Sequence, residues 1–159
     1  SVASRGLGDV YKRQETDVAA IRSGLADGTI DAIATDHAPH TVHDKERPFD
    51  EAPPGMLGLE TALPLALEHS GLDLPEVLTA LSRRPAAIAG ISDRHGGPVR
   101  YGRPANLCVF DPDTTWVVSG KEMGSRSNNT PYEGWTLRGR VRHTLSAGVP
   151  VVVDGEAQQ

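Results

Sequence analysis

The sequence predicts an α/β fold class: part of an α/β layer followed by a small, separate β module. Three observations predict it. A short apolar run, Asp31 to Thr35 (DAIAT), lies between helical patterns and ends on an acid, as a strand buried on both faces of a parallel sheet does. Helical segments punctuated by Gly and Pro then run to about residue 95. Beyond Gly96-Gly97 the chain turns β-rich, with turn signals between short runs.

Each element has a local reason. Glu15 to Ala26 reads as a helix, with Val18, Ile21, Arg22 and Leu25 at helical spacing, Thr16 as N-cap and Gly28 as stop. Residues 36–56 are polar and carry Pro39, Pro48, Pro53 and Pro54, so they read as a long loop, of a length that is usually functional or disordered. Leu59 to His69 reads as a helix reached through Gly55 and Gly58; Pro64 either kinks it or marks its true start. Leu74 to Leu81 is a second helix with Pro75 at its first position, and Pro85 to Ala89 a third, short one ending at Gly90. Ala105 to Phe110, Thr115 to Val118, Arg138 to Leu145 and Val149 to Val153 read as strands. Asp111-Pro112-Asp113, Ser119-Gly120 and Ala147-Gly148 read as the turns between them.

Composition bounds the function. The chain has 159 residues, 38% of them apolar, and carries 16 basic against 21 acidic side chains. The net charge of −5 argues against a nucleic-acid or anionic-membrane binder. No apolar run approaches the ~18 residues of a membrane span. A single cysteine, Cys108, excludes an intramolecular disulfide framework and a four-cysteine zinc site, and a reduced, cytoplasmic setting is the expectation. Ser1 to Gln14 (SVASRGLGDVYKRQ) has no apolar core, no periodicity and no capping logic; it reads as a non-native tail of the kind left by translated adapter sequence. The length is also short of the ~250 residues of a complete (β/α)8 barrel.

The chemistry concentrates in Ala34-Thr35-Asp36-His37-Ala38-Pro39-His40. An acid directly follows the buried-type strand, and strand C-termini carry the chemistry of α/β barrels. An aspartate so placed can ligate a metal or shuttle a proton, and His40, in a proline-stiffened turn, can donate to an anionic group. The residues alone leave other readings open. Asp36 can cap a turn beside solvated His37, His40 and His43. Asp36, His37, His40, His43 and Asp44 can also be read as a self-contained zinc site, although structural zinc sites usually space their ligand pairs more widely.

Residues 29–67, TIDAIATDHAPHTVHDKERPFDEAPPGMLGLETALPLAL, closely resemble the last barrel strand and following loop of the dihydroorotases, in the amidohydrolase superfamily. The TDHAPH string, the spacing to Lys45 and the Gly55-Met56-Leu57-Gly58-Leu59-Glu60-Thr61 segment carry the resemblance. It continues through Asn106-Leu107-Cys108-Val109-Phe110-Asp111-Pro112, Asn129-Thr130-Pro131-Tyr132 and residues 139–148, which resemble a C-terminal β-sandwich. The resemblance implies the C-terminal portion of a metal-dependent (β/α)8 TIM barrel over residues 15–95 and a small β-sandwich subdomain over residues 96–159. It implies that Asp36 ligates zinc in a binuclear site and acts as catalytic acid/base. His40, Pro54 and Gly55 are implied to bind substrate; His37 is not taken as a ligand. The implied reaction is reversible ring opening of dihydroorotate to N-carbamoyl-aspartate, a step of pyrimidine biosynthesis.

Related hydantoinases, dihydropyrimidinases and allantoinases share fold and aspartate but typically carry another residue where His40 stands. A third alternative is a non-catalytic dihydroorotase-like subunit that scaffolds aspartate transcarbamoylase; a homodimer is also compatible. The family's other zinc ligands and its substrate arginine and asparagine have no counterparts here, and Asp9 does not inherit the asparagine's role. The 159-residue chain by itself is therefore expected to be inactive. Other residues read as ordinary: Cys108 as a buried small side chain, Arg138, Arg140 and Arg142 as a solvated strand face, Trp116 and Trp135 as packing. His69, His95 and His143 have no partner visible in sequence, and Asp44 to Arg47 form a solvated loop or a mobile lid.

Overall fold

The computed structural model describes residues 15–158; the tail expected over residues 1–14, with Asp9, lies outside the described residues. Helix α1 (Glu15–Asp27) carries Glu15 and Asp17 in its first turn, where acids suit the positive end of the helix dipole. Because it begins at Glu15, Thr16 lies within that turn and is not the cap. Gly28 (φ +82) ends the helix in the left-handed region, and the Ile30 N–H closes back on the Gly24 carbonyl at 2.8 Å. The Arg22 Nε–H donates to the His69 carbonyl at 2.8 Å, which ties α1 to the end of a later helix.

The expected buried strand over residues 31–35 does not form. Ala34 is exposed, and among the described residues no ladder flanks the segment. A strand is defined by its neighbours, and this one has a single isolated parallel bridge, His37 to Met56, just beyond its end. Its one interior anchor is the Ile33 N–H, which donates to the Ala80 carbonyl at 3.1 Å.

That carbonyl is available for a reason readable in the sequence. Helices α4 (Leu74–Leu78) and α5 (Arg84–Ile88) are joined by a π-helical turn, Thr79–Arg83, into one run, where two separate helices are expected. Asp73 and Glu76 open it with a reciprocal capping box, and Pro75 sits in its first turn. Pro85 then interrupts the ladder. It has no N–H, and its ring crowds the carbonyl four residues back. The helix widens locally, so that the Arg84 N–H reaches the Thr79 carbonyl five residues back. In that register Pro85 would be the partner of the Ala80 carbonyl and cannot donate. Gly96 (φ +67) lies tight on the same turn: a Cβ would stand 2.8 Å from the Ser82 carbonyl oxygen and 3.0 Å from the Arg83 Cα.

The region between these helices contains a short helix, α2 (Val42–Lys45), capped by Thr41, and α3 (Ala62–His69). Pro64 marks the start of α3, since a proline is tolerated only in a first turn; the helix does not begin at Leu59. No described helix is long and apolar enough to cross a membrane.

The β module is an antiparallel meander, β1 (Leu107–Val117), β2 (Thr136–Ser146), β3 (Val149–Val153) and β4 (Glu156–Ala157), in that spatial order. Asp111-Pro112-Asp113 does not turn the chain, as expected, but bulges within β1. Pairing jumps from Asp111–Arg140 to Thr115–Arg138. The Asp111 carboxylate satisfies the bulge, accepting the Asp113 N–H at 2.9 Å, the Thr114 N–H at 3.1 Å and the Thr114 hydroxyl at 2.8 Å. Leu137 and Gly139 of β2 are buried, and Gly139 (φ +105) admits α3: a Cβ there would stand 2.9 Å from the Leu67 Cδ1. Arg138, Arg140 and Arg142 share the exposed face as expected, with Arg140 stacked 5.7 Å over the Trp116 ring. Among the described residues there is one sheet and not the two of a sandwich. Cys108 is accordingly exposed rather than buried.

The hydrogen bonds at the bulge hold the Asp111 carboxyl below its ordinary value of 3.8, the Asp113 N–H contributing most. A depressed folded-state pKa gives stability that is complete above the unfolded value and is lost as pH falls through the folded one. Melting temperature should therefore drop on acidification below about pH 4, and Asp111→Asn should flatten that segment of the profile. Identical acid slopes in the two proteins would count against the role given to Asp111.

Candidate functional site

Asp36 ends the extended segment with φ +46, a left-handed conformation that aspartate tolerates better than most residues. Its side chain is exposed, and among the described residues nothing hydrogen-bonds its carboxylate. The backbone then runs as one leg, residues 36–40, beside a second leg, residues 55–58. The Ala38 N–H donates to the Met56 carbonyl at 2.9 Å. The Gly58 N–H donates to His37 Nδ1 at 3.1 Å, which commits that nitrogen as an acceptor. Gly58 permits the approach, because a Cβ would stand 3.0 Å from both the Thr35 carbonyl oxygen and the Thr35 Cβ.

Three consecutive carbonyls of the Pro53-Pro54-Gly55 turn are held from the first leg and its helix. Lys45 Nζ donates to the Pro53 carbonyl at 3.0 Å and the Gly55 carbonyl at 3.1 Å. His40 Nε2 lies 2.9 Å from the Pro54 carbonyl oxygen. A carbonyl only accepts, so this nitrogen carries the proton, and the neutral ring presents a bare acceptor at Nδ1. Donation from His40 to an anion thus requires the imidazolium or release from Pro54. Gly55 has φ +130, and a Cβ on it would stand 2.7 Å from both the Ala38 Cβ and His40 Nε2. Pro53 and Pro54 have no N–H, so Gly55 carries the first backbone donor of the turn. That donor is not at a helix N-terminus, because α3 begins at Ala62.

Asn129, from the segment linking β1 to β2, inserts between the legs. Its Oδ1 accepts the His40 N–H at 3.2 Å, its Nδ2 donates to the Ala38 carbonyl at 3.0 Å and the Gly55 carbonyl at 3.3 Å, and its own carbonyl accepts the Leu57 N–H at 3.2 Å.

The structure therefore brings His40, Pro54 and Gly55 into direct contact and sets Asp36 at the head of the same leg. It does not assemble the alternative zinc site: among the described residues no three His, Cys, Asp or Glu side chains could hold a metal ion. His43 and Asp44 belong to α2, where the Thr41 hydroxyl donates to the Asp44 carboxylate at 2.7 Å. That bond, with Arg47 at 3.1 Å, holds the Asp44 carboxyl below the usual range. Sequence reasoning places Lys45 in a solvated run and gives Asn129 no role; the spacing from TDHAPH to Lys45 is the signal that was available for the first.

Residues 11–151 match the model of the amidohydrolase family. A dihydroorotase of Mycobacterium leprae (strain TN) is 49% identical over 140 residues, covering 86% of this chain and 32% of that protein. A dihydroorotase of Streptomyces coelicolor is 47% identical over 161 residues, covering 96% of this chain and 37% of that protein. The chain spans about a third of the length of the curated relatives it matches. Among solved structures, a D-hydantoinase (dihydropyrimidinase) from Thermus sp. superposes with a TM-score of 0.81 at 26% identity, over 92% of this chain and 33% of that one.

Gly55→Ala should push the His40 ring off Pro54. In NMR spectra the His40 Nε2–H, held by the Pro54 carbonyl, should lose its protection from solvent exchange, while the His69 and His95 rings keep their shifts. An unmoved His40 signal in the variant would refute the contact.

Proposed function

Because the chain belongs to the amidohydrolase family, we propose that it forms the closing part of the barrel and the adjoining β module of a dihydroorotase, a hydrolase acting on a cyclic amide. The sheet would be one layer of the β-sandwich, and the protein would act in the cytoplasm. The observation that carries the substrate reading is identity. Relatives named dihydroorotase are 42–49% identical over nearly the whole chain, whereas the hydantoinase structures that share its fold are 20–26% identical.

Opening a cyclic amide adds water to the carbonyl carbon, breaks the C–N bond and returns a proton to the nitrogen. Asp36 is the group for both proton movements. Among the described residues its carboxylate has no partner, and it is exposed and fixed by the backbone of its leg. The Gly55 N–H would orient an anionic carboxylate of the substrate, with Pro54 closing the turn over it, and His40 would donate to the same group as the imidazolium or on release from Pro54. The family implies a metal cofactor, and a zinc pair belongs to this reading. The described residues do not hold a metal by themselves, and Asp36 would supply one ligand to it. Pairing with a second copy or with aspartate transcarbamoylase belongs to the same reading.

The test is made on the full-length protein that carries this chain. Dihydroorotate should be opened and hydantoin should not. Asp36→Asn, which keeps shape but removes the basic oxygen, should lower kcat by about 10²- to 10⁴-fold. Opening of hydantoin alone would replace dihydroorotase by hydantoinase. Failure on either ring together with binding to aspartate transcarbamoylase would make the protein a scaffold. Full activity in Asp36→Asn would remove Asp36 from the chemistry.

A further inference from the structure

We propose that Asn129 is a positioning residue through which the β module sets the geometry of the site. The inference rests on the reading of Asp36, His40 and Gly55 as that site. Asn129 stands far along the chain from the legs it joins, 74 residues from Gly55 and 91 from Ala38. Its carboxamide uses both of its functions at once: the oxygen takes the His40 N–H, and the nitrogen gives to one carbonyl on each leg. No other side chain of that length offers an acceptor and two donors in one plane. Aspartate, nearly the same shape, would keep the His40 bond but turn a charged oxygen toward two carbonyl oxygens.

The segment that delivers Asn129 is itself fixed. The Val118 N–H donates to the Trp135 carbonyl at 2.8 Å and the Gly134 N–H to the Val118 carbonyl at 2.9 Å, which closes its neck at the sheet. Inside it, the Glu133 carboxylate accepts the Gly120 N–H at 2.7 Å. Gly120 lies so near that a Cβ would stand 2.6 Å from the Asn128 carbonyl oxygen. On the other side, the Glu60 carboxylate accepts the Gly124 N–H at 2.9 Å, a second tie from this segment to the stretch before α3. Asn129 is therefore presented by a braced loop, and the legs follow it.

The experiment compares Asn129→Ala, Asn129→Asp and Asn129→Gln with wild type in the full-length protein. The first readout is amide hydrogen exchange, which needs no substrate. Exchange at residues 38–41 and 55–58 should accelerate by about tenfold or more in the Ala and Asp variants. The β2 strand amides and the melting temperature should stay at wild-type values. The second readout is kinetic: kcat/KM for ring opening should fall by about 10²-fold in Asn129→Ala and further in Asn129→Asp. Asn129→Gln, which keeps both hydrogen-bonding functions, should recover part of the loss. Unchanged exchange on the two legs would overturn the proposal, as would acceleration spread equally through β2. If wild type opened no cyclic amide, the exchange result would still decide whether Asn129 sets the legs, and the failure would fall on the functional reading alone.

Discussion

The Ala80 carbonyl is the point on which the placement of Asp36 depends. A buried backbone acceptor without a partner costs about 1–3 kcal/mol, and Pro85 has removed the donor this one would have had in the helix. The chain meets that debt with the N–H of Ile33, on the extended segment that leads to Asp36. The segment lacks a strand ladder, so its course rests on this bond at Ile33 and on the ties of His37 and Ala38 to the second leg just beyond Asp36. The first of these comes from a helix defect, which Gly96 packs closely from the other side.

From that anchor the site is built by satisfying carbonyls rather than by packing side chains. The turn at Pro53-Pro54-Gly55 cannot form a ladder, since two of its three residues lack an N–H. Its carbonyls are met by a cation, an imidazole and an amide from three different places in the sequence: Lys45, His40 and Asn129. The ammonium of Lys45 serves two carbonyls at once, which suits a group with three donors and no acceptor. The Asp36 carboxylate, exposed and without a partner among the described residues, is where substrate chemistry would act on the proposed reading.

Local signals in the sequence carried α1 and the place of Pro75 in the first turn of α4, because each depends on neighbours within a few residues, whereas the grouping of Asp36 and His40 with Pro54 and Gly55 came from the resemblance to the dihydroorotases. The errors came where a local signal has two physical outcomes. Asp111-Pro112-Asp113 has the composition of a turn, yet the same Asp side chain can satisfy a bulge and let the strand continue. Pro85 has the look of a helix start, yet a π-helical turn absorbs it. The run at residues 31–35 has strand composition, but a strand requires partners that composition does not supply. Lys45 was flagged only by its spacing from TDHAPH, which does not say that it holds two carbonyls of a later turn, and Asn129 was not legible as a site-builder because the carbonyls it holds, 74 and 91 residues away, are brought to it by the fold.

This manner of construction separates the scaffold from the specificity. The hydantoinase structures reach TM-scores of 0.76–0.81 with only 20–26% identity, so the backbone path tolerates replacement of most side chains. Backbone carbonyls are present whatever the side chain, and a few donors suffice to fix them. The loop is then free to vary at the positions that face the substrate while its course is kept. His40 is the exception, since it belongs to both sets. Its Nε2 fastens the Pro54 carbonyl, and on the proposed reading its other ring nitrogen would meet the substrate. If His40 meets the substrate as proposed, a change at that position would alter that contact and the turn that frames it together.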